Sequence, residues 1–199
     1  MPRQARIIPP EGYLHIICRG NNRRKLFLYP RDFKTYYLFL CRLKNEESIK
    51  IFHYCFMPNH IHLLAGVSES SDLSRFMKRL NLKYFYYYSR KHAYIGHLWQ
   101  DRFKSKIIEK DEYLIQCGKY IELNPVRARL VESPEDYPFS SYCHYALGFK
   151  DKIVDDDPLY MDLGNTAAER QLAYRNSLMP ESLNLSKNDV FVTRDTTIS

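Results

Sequence analysis

The stretch Ile49–Val67, "IKIFHYCFMPNHIHLLAGV", decides how the rest of the chain is read. Residues 49–57 are rich in β-branched and aromatic side chains and read as a strand, Pro58-Asn59 is a break, and residues 60–67 read as the next strand. Side chains two apart in a strand share a face. His60 and His62 therefore project side by side, while Ile61 and Leu63 point the other way. Polar groups in so apolar a run cost free energy unless something satisfies them. Two readings stay open: hydrogen-bonded strand histidines, or two neutral imidazoles that reach one divalent ion.

Working outward, "YLHIICR" (13–19) follows Pro9, Pro10 and Gly12 and reads as a first strand, with a basic turn, "GNNRRKLF", after it. Phe33, Tyr36, Tyr37, Leu40 and Leu43 recur at helical spacing and predict a helix over 31–46. Ser71 or Asp72 can cap a second helix over 73–92, whose apolar stripe includes Leu73, Phe76, Met77, Leu80 and Tyr84. Residues 102–109 read as a fourth strand. Asp111 can cap a third helix that runs to about Leu123 and is ended by Pro125. The order β-α-β-β-α-β-α predicts an α+β, ferredoxin-like fold: an antiparallel sheet with helices packed on one face and the other face free for a site. Residues 1–150 form the main domain, 151–178 an acidic loop and a short C-terminal helix, and 179–199 a polar tail.

Charge is unevenly spread over the 199 residues, whose net charge is +7. Residues 1–110 hold 21 Lys and Arg against 8 Asp and Glu, a net +13, whereas 111–199 carry a net −6. A basic body points to a polyanionic partner, and the acidic segment 151–165 is expected to fold over the basic groove and restrain binding. Cys18, Cys41, Cys55, Cys117 and Cys143 are scattered and form no CxxC pair, which excludes a disulfide framework and a cysteine zinc site. Reduced thiols, no 18-residue apolar run and no signal peptide give the expectation of a cytoplasmic protein with no membrane contact.

A nucleophile and a further ligand can come from the third helix. Tyr120 and Asn124 are four residues apart and fall on one side of its end. An Asn carbonyl suits a hard ion such as Mg²⁺ or Mn²⁺, and a phenol beside a cation can ionise and attack phosphorus. With 17 tyrosines in the chain, Tyr120 alone says little. The basic residues that can track a phosphate chain are Arg19, Arg23, Arg24 and Lys25 after the first strand, Arg75, Arg79 and Lys83 on the long helix, and Arg102, Lys104 and Lys106 along the fourth strand. Tyr86, Trp99 and Phe103 can stack on exposed bases. His53, on the neighbouring strand, is read as a satisfied strand histidine rather than one that approaches the metal, and His15 as lacking a partner at a telling spacing.

An ordered series of blocks carries a family resemblance. "MPNHIHLL" (57–64), "LWQDRFKSKII" (98–108) and "YIELNPVRARLV" (120–131), with "RGNNRRKLF" (19–27) and "YPFSSY" (137–142), resemble the REP-associated tyrosine transposases of the HUH single-strand transposase and nuclease superfamily. The resemblance implies that His60, His62 and Asn124 are metal ligands for Mg²⁺ or Mn²⁺ and that Tyr120 is the catalytic tyrosine. It implies an HUH core acting on single-stranded or hairpin DNA through a 5′-phosphotyrosine, as a monomer or homodimer. A non-cleaving hairpin-binding module on the same fold is the rival reading. A zinc hydrolase ranks lower, because there is no HExxH and no acidic third ligand on the strand.

Overall fold

A computed structural model describes residues 8–68, 72–108 and 112–177, without the side chains of Glu112 and Tyr113. The proposed caps Ser71 and Asp111 and the tail 179–199 lie outside the described residues. The elements run β1 (Gly12–Arg19), α1 (Pro30–Glu46), β2 (Lys50–Met57), β3 (His60–Val67), α2 (Leu73–Lys91), β4 (Lys104–Ile108), α3 (Glu112–Glu122), α4 (Asn124–Arg127), α5 (Tyr142–Leu147), α6 (Pro158–Met161) and α7 (Ala167–Asn176). The four strands form one antiparallel sheet in the order β2-β3-β1-β4. Two β-α-β crossovers thus place β1 and β3 at the centre, the ferredoxin-like arrangement.

The alternation of each strand separates two apolar layers. Leu14 and Ile16 of β1, Ile61, Leu63 and Ala65 of β3, and Tyr54 and Phe56 of β2 face α1 and α2, and join Tyr36, Leu40, Phe76, Leu80 and Tyr84 in the main core. The two crossover helices therefore cover one face, as the element order predicts. The other face is crossed by α3, whose Leu114, Cys117 and Ile121 pack on Phe52, Cys55 and Leu64. A register shift between Ile51 and His53 lets the consecutive residues Phe52 and His53 both serve that side. Gly118 permits the close approach: a Cβ there would lie 2.5 Å from His53 Nε2.

Asp72 caps α2 by accepting from Arg75 N at 2.8 Å. The expectation that Pro125 ends the third helix needs one correction. Helix α3 closes at Glu122, but Pro125 lies in the first turn of a further short helix, Asn124–Arg127. A proline needs no N–H donor there, so the chain turns and goes on rather than leaving helical geometry.

The acidic segment also departs from expectation. Asp155 accepts from Lys44 Nζ at 2.7 Å and Ile51 N at 2.8 Å, Asp151 from Tyr54 Oη at 2.6 Å, and Asp157 pairs with His53. These carboxylates bind the body around β2, one edge of the sheet, whereas the basic strand β4 is the opposite edge.

Candidate active site

The site grows from the pairing of β1 with β3. The register sets Ile17 opposite His62, Cys18 opposite Ile61 and Arg19 opposite His60. His15, one alternation further along β1, shares the histidine face, and its Nε2 lies 2.9 Å from His62 Nδ1. The two rings stack with centroids 5.1 Å apart. His60 Nδ1 lies 2.6 Å from Asn59 Oδ1, in the two-residue connection. Pro58 and Asn59 are themselves fixed, because their carbonyls accept from Leu26 N at 2.7 Å and Gly20 N at 2.9 Å.

These contacts select tautomers. The Asn59 oxygen can only accept, so His60 Nδ1 donates and its Nε2 carries a lone pair. When His62 Nδ1–H donates to His15 Nε2, His62 likewise presents an Nε2 lone pair. That atom is buried and has no hydrogen-bond partner among the described residues. Holding a ligand histidine by its other ring nitrogen is the usual way to orient it toward a metal. Burial, with Arg19 as a second cause, holds His60 down at about 4. Burial, with Lys106 second, holds His15 down at about 3. His62 is pushed well below the ordinary histidine value by burial, then by His15 and His60. All three are neutral at pH 7, so no proton competes for the two Nε2 atoms.

Helix α3 brings the tyrosine. The Tyr120 ring meets His62 edge-on with centroids 6.3 Å apart and His15 at 6.1 Å. The Arg127 guanidinium carbon sits 4.8 Å from the Tyr120 ring centroid, a cation–π contact. Asn124 Nδ2 donates to the carbonyls of Tyr120 at 2.8 Å and Ile121 at 3.1 Å. These bonds occupy the amide nitrogen and leave the oxygen as the atom a metal would use. Among the described residues no three His, Cys, Asp or Glu side chains converge on one point. Imidazole nitrogens and an amide oxygen are donors of a kind that a Mg²⁺- or Mn²⁺-type ion accepts, with water or phosphate completing its shell.

The foot of α3 is held by a buried polar network. His53 Nδ1 lies 2.8 Å from Glu122 Oε1, and its Nε2 lies 3.2 Å from Asp157 Oδ2. Tyr174 Oη donates to Glu122 Oε2 at 2.7 Å, and Ser141 Oγ donates to Glu122 Oε1 at 2.5 Å. Burial opposes the charged imidazole, but the Glu122 charge and the hydrogen bonds to both carboxylates raise His53 to about 9. His53 is thus a satisfied histidine, as the sequence reading has it.

The basic residues divide between two places. Arg19 and Lys104 line one groove with Ile17, Gln100, Asp101 and Arg102. Lys104 and Lys106 lie on the histidine face, opposite Ile17 and His15. Arg102 precedes β4 rather than lying in it. Arg75 and Arg79 do not join this group. Arg75 Nε contacts Glu47 Oε2 at 2.6 Å, Arg79 contacts Glu46 at 2.6 Å and also Glu47, and together they bind α2 to the end of α1. Lys83 Nζ lies 5.1 Å from the Phe39 ring centroid and Arg24 Cζ 4.6 Å from that of Tyr94. Arg23 and Lys25 are exposed beside Arg24. His15, Asn59 and Arg127 are the site residues that spacing alone did not reveal. His15 becomes legible only once β1 is set in register against β3.

Among the described residues no helix is long and apolar enough to cross a membrane. Comparison with known proteins agrees with the architecture. A curated relative from Haemophilus influenzae, "Putative REP-associated tyrosine transposase", is 28% identical over 141 residues, which are 65% of this chain and 78% of that one. A solved structure described as a REP-associated tyrosine transposase bound to a REP hairpin shares the fold, with a TM-score of 0.63 and 20% identity over 79% of this chain and 93% of that one. Residues 10–124, over half of the chain, match the family described as "Transposase IS200 like", and this protein belongs to that family.

Proposed function

We propose that the protein cuts and rejoins single-stranded DNA at hairpin-forming repeats, using a divalent metal and Tyr120 as the nucleophile. The observation that carries this reading is the buried His62 Nε2. It has no hydrogen-bond partner among the described residues, its other ring nitrogen is tied to His15, and the Tyr120 ring lies against it. The REP hairpin bound by the structural neighbour supports the choice of substrate.

His60 and His62 through Nε2, with the Asn124 oxygen, would hold Mg²⁺ or Mn²⁺. Bound there, such an ion polarises the scissile phosphate and offsets charge that develops in the transition state. The remaining work falls to the chain. Arg127 lies on the Tyr120 ring and holds it in place beside His62. The Tyr120 oxygen attacks phosphorus in line, the P–O3′ bond breaks, and the 3′ oxygen takes up a proton in place of the one the phenol lost. The products are a 5′-phosphotyrosine and a free 3′-hydroxyl. No water is consumed, so a 3′-hydroxyl can reverse the step and rejoin a strand. A phenol ionises far more readily than an aliphatic alcohol and leaves more easily on rejoining. Arg19, Lys104 and Lys106 hold the flanking phosphates through charge rather than sequence.

The test is covalent capture. Protein, labelled hairpin DNA with single-stranded flanks and Mn²⁺ should give an adduct that survives denaturation. Tyr120→Phe or a chelator should abolish it. Tight, Mn²⁺-independent binding with no adduct would assign the fold to a non-cleaving module.

A further inference from the structure

A cavity of about 600 Å³ opens between α2 and residues 96–103, outside the histidine site. Its walls are Met77, Leu82, Phe85 and Trp99, with Lys78 and Arg102 among the lining. Among the described residues no Asp or Glu lines it. Trp99 is held rather than loose: its Nε1 donates to Asn81 O at 3.0 Å, and its backbone bridges Gly20. Beside it, Gln100 N donates to Arg19 O at 2.9 Å and Asn21 N to Leu98 O at 2.8 Å. The segment that carries Trp99 is therefore an extension of the sheet beside β1, at fixed geometry to Arg19. Asn81 lines the cavity, and its Oδ1 has no hydrogen-bond partner among the described residues.

Arg102 also lines the groove that contains Arg19 and Lys104. Arg19 in turn is the register partner of His60. Arg102 thus joins two surfaces at the sheet edge: the groove that begins at Arg19, the register partner of His60, and the apolar cavity under α2. Three cations, Arg19, Lys104 and Arg102, outnumber the one carboxylate of the groove, Asp101, and aromatic rings line the cavity beyond. That sequence of surfaces matches a nucleic-acid strand, with charge for its phosphates and flat apolar walls for a base.

We infer that this cavity takes one unstacked nucleobase from the single strand next to the scissile phosphate, with Trp99 and Phe85 as its walls. This rests on the single-strand DNA reading above. Its volume falls within the roughly 300–1,000 Å³ of sites that enclose small ligands, so a base enters without opening the fold. The captured base fixes the register of the strand, and so fixes which phosphate reaches Tyr120.

The experiment uses the full chain and a hairpin DNA with single-stranded flanks, in which one abasic site is moved position by position. For the wild type, removing the base at one flank position should weaken binding at least about fivefold, the lower end of what base–aromatic stacking supplies. Phe85→Ala, which removes a wall, and Leu82→Trp, which fills the space, should weaken binding of intact DNA by a similar factor. Both variants should no longer distinguish intact from abasic DNA at that position, and the Tyr120 adducts they form should spread over neighbouring phosphates rather than fall at one. Leu82 is 45% exposed, so its replacement leaves the core alone. A flat abasic scan, or the same positional penalty in both variants, overturns the base pocket while a Tyr120 adduct keeps the enzyme reading intact. No adduct, with no preference for flanked over blunt hairpins, overturns both.

Discussion

Replacing Glu122 by Gln removes one charge from the network that holds the foot of α3, two residues from Tyr120. His53 lies between Glu122 and Asp157 with both ring nitrogens facing carboxylate oxygens, and all three side chains are fully buried. Folding raises His53 from 6.5 to about 9. At about 1.4 kcal/mol per pKa unit this contributes about 3 kcal/mol. The folded value lies above the unfolded one. The contribution is therefore complete below pH 6.5 and is lost as the pH rises through 9. Urea unfolding at pH 6 should show Glu122→Gln less stable by about 3 kcal/mol, in line with the roughly 3–5 kcal/mol lost when one partner of a buried ion pair is removed. With an m-value of about 2 kcal/mol/M the midpoint falls by about 1.5 M. The gap should narrow between pH 6.5 and 9.5. Part of it stays at every pH, because Tyr174 and Ser141 also lose a carboxylate acceptor. Burial pushes the Cys55 and Cys117 thiols up, and the Glu122 charge adds to the rise at Cys55, so the His53 contribution is read from the narrowing between pH 6.5 and about 8, below the range in which unfolded thiols ionise. Equal stability at pH 6, or a gap independent of pH, would refute a charged His53.

Two further outcomes follow from the same geometry. Mn²⁺ at about a hundred times its dissociation constant should stabilise the wild type by about 3 kcal/mol, several degrees in Tm. His62→Ala should abolish that shift, and His15→Ala should need about 10–100-fold more Mn²⁺ to reach it; a full shift in His62→Ala would place the ion elsewhere. In a salt titration of single-strand binding, Lys104→Ala and Lys106→Ala should each lower the slope of log K against log salt by about 0.7, whereas Arg79→Ala, whose guanidinium is tied to Glu46 and Glu47, should leave it unchanged. An equal loss of slope in Arg79→Ala would show that the ion pairs open for DNA.

Much of the architecture was legible because strand and helix periods are local properties. The break at Pro58-Asn59, the i, i+2 pair His60 and His62, and the stripe of α2 all follow from neighbours in sequence. What could not be read depends on residues far apart. His15 meets His62 only through the β1–β3 register. Arg75 and Arg79 look like free cations on a helix until Glu46 and Glu47 are seen at the end of α1. The acidic segment looked like a cover for the basic groove because composition gives charge without position. In the fold its carboxylates go to Lys44, Tyr54 and His53 around β2. Tyr120 and Asn124 were suggested by spacing. It took the packing of α3 on the histidine face of the sheet to bring Tyr120 against His62.

The measurement that tests the central claim most directly is peptide mapping of the captured complex. Protein and hairpin DNA, with the label on either the 5′ or the 3′ end of the strand, are reacted with Mn²⁺, digested and sequenced by mass spectrometry. The account predicts that the peptide carrying Tyr120 holds the phosphate of the 3′-labelled fragment, and that the 5′-labelled fragment is released with a free 3′-hydroxyl. A linkage on another residue, retention of the 5′-labelled fragment, or cleavage that leaves both fragments free of protein would contradict it.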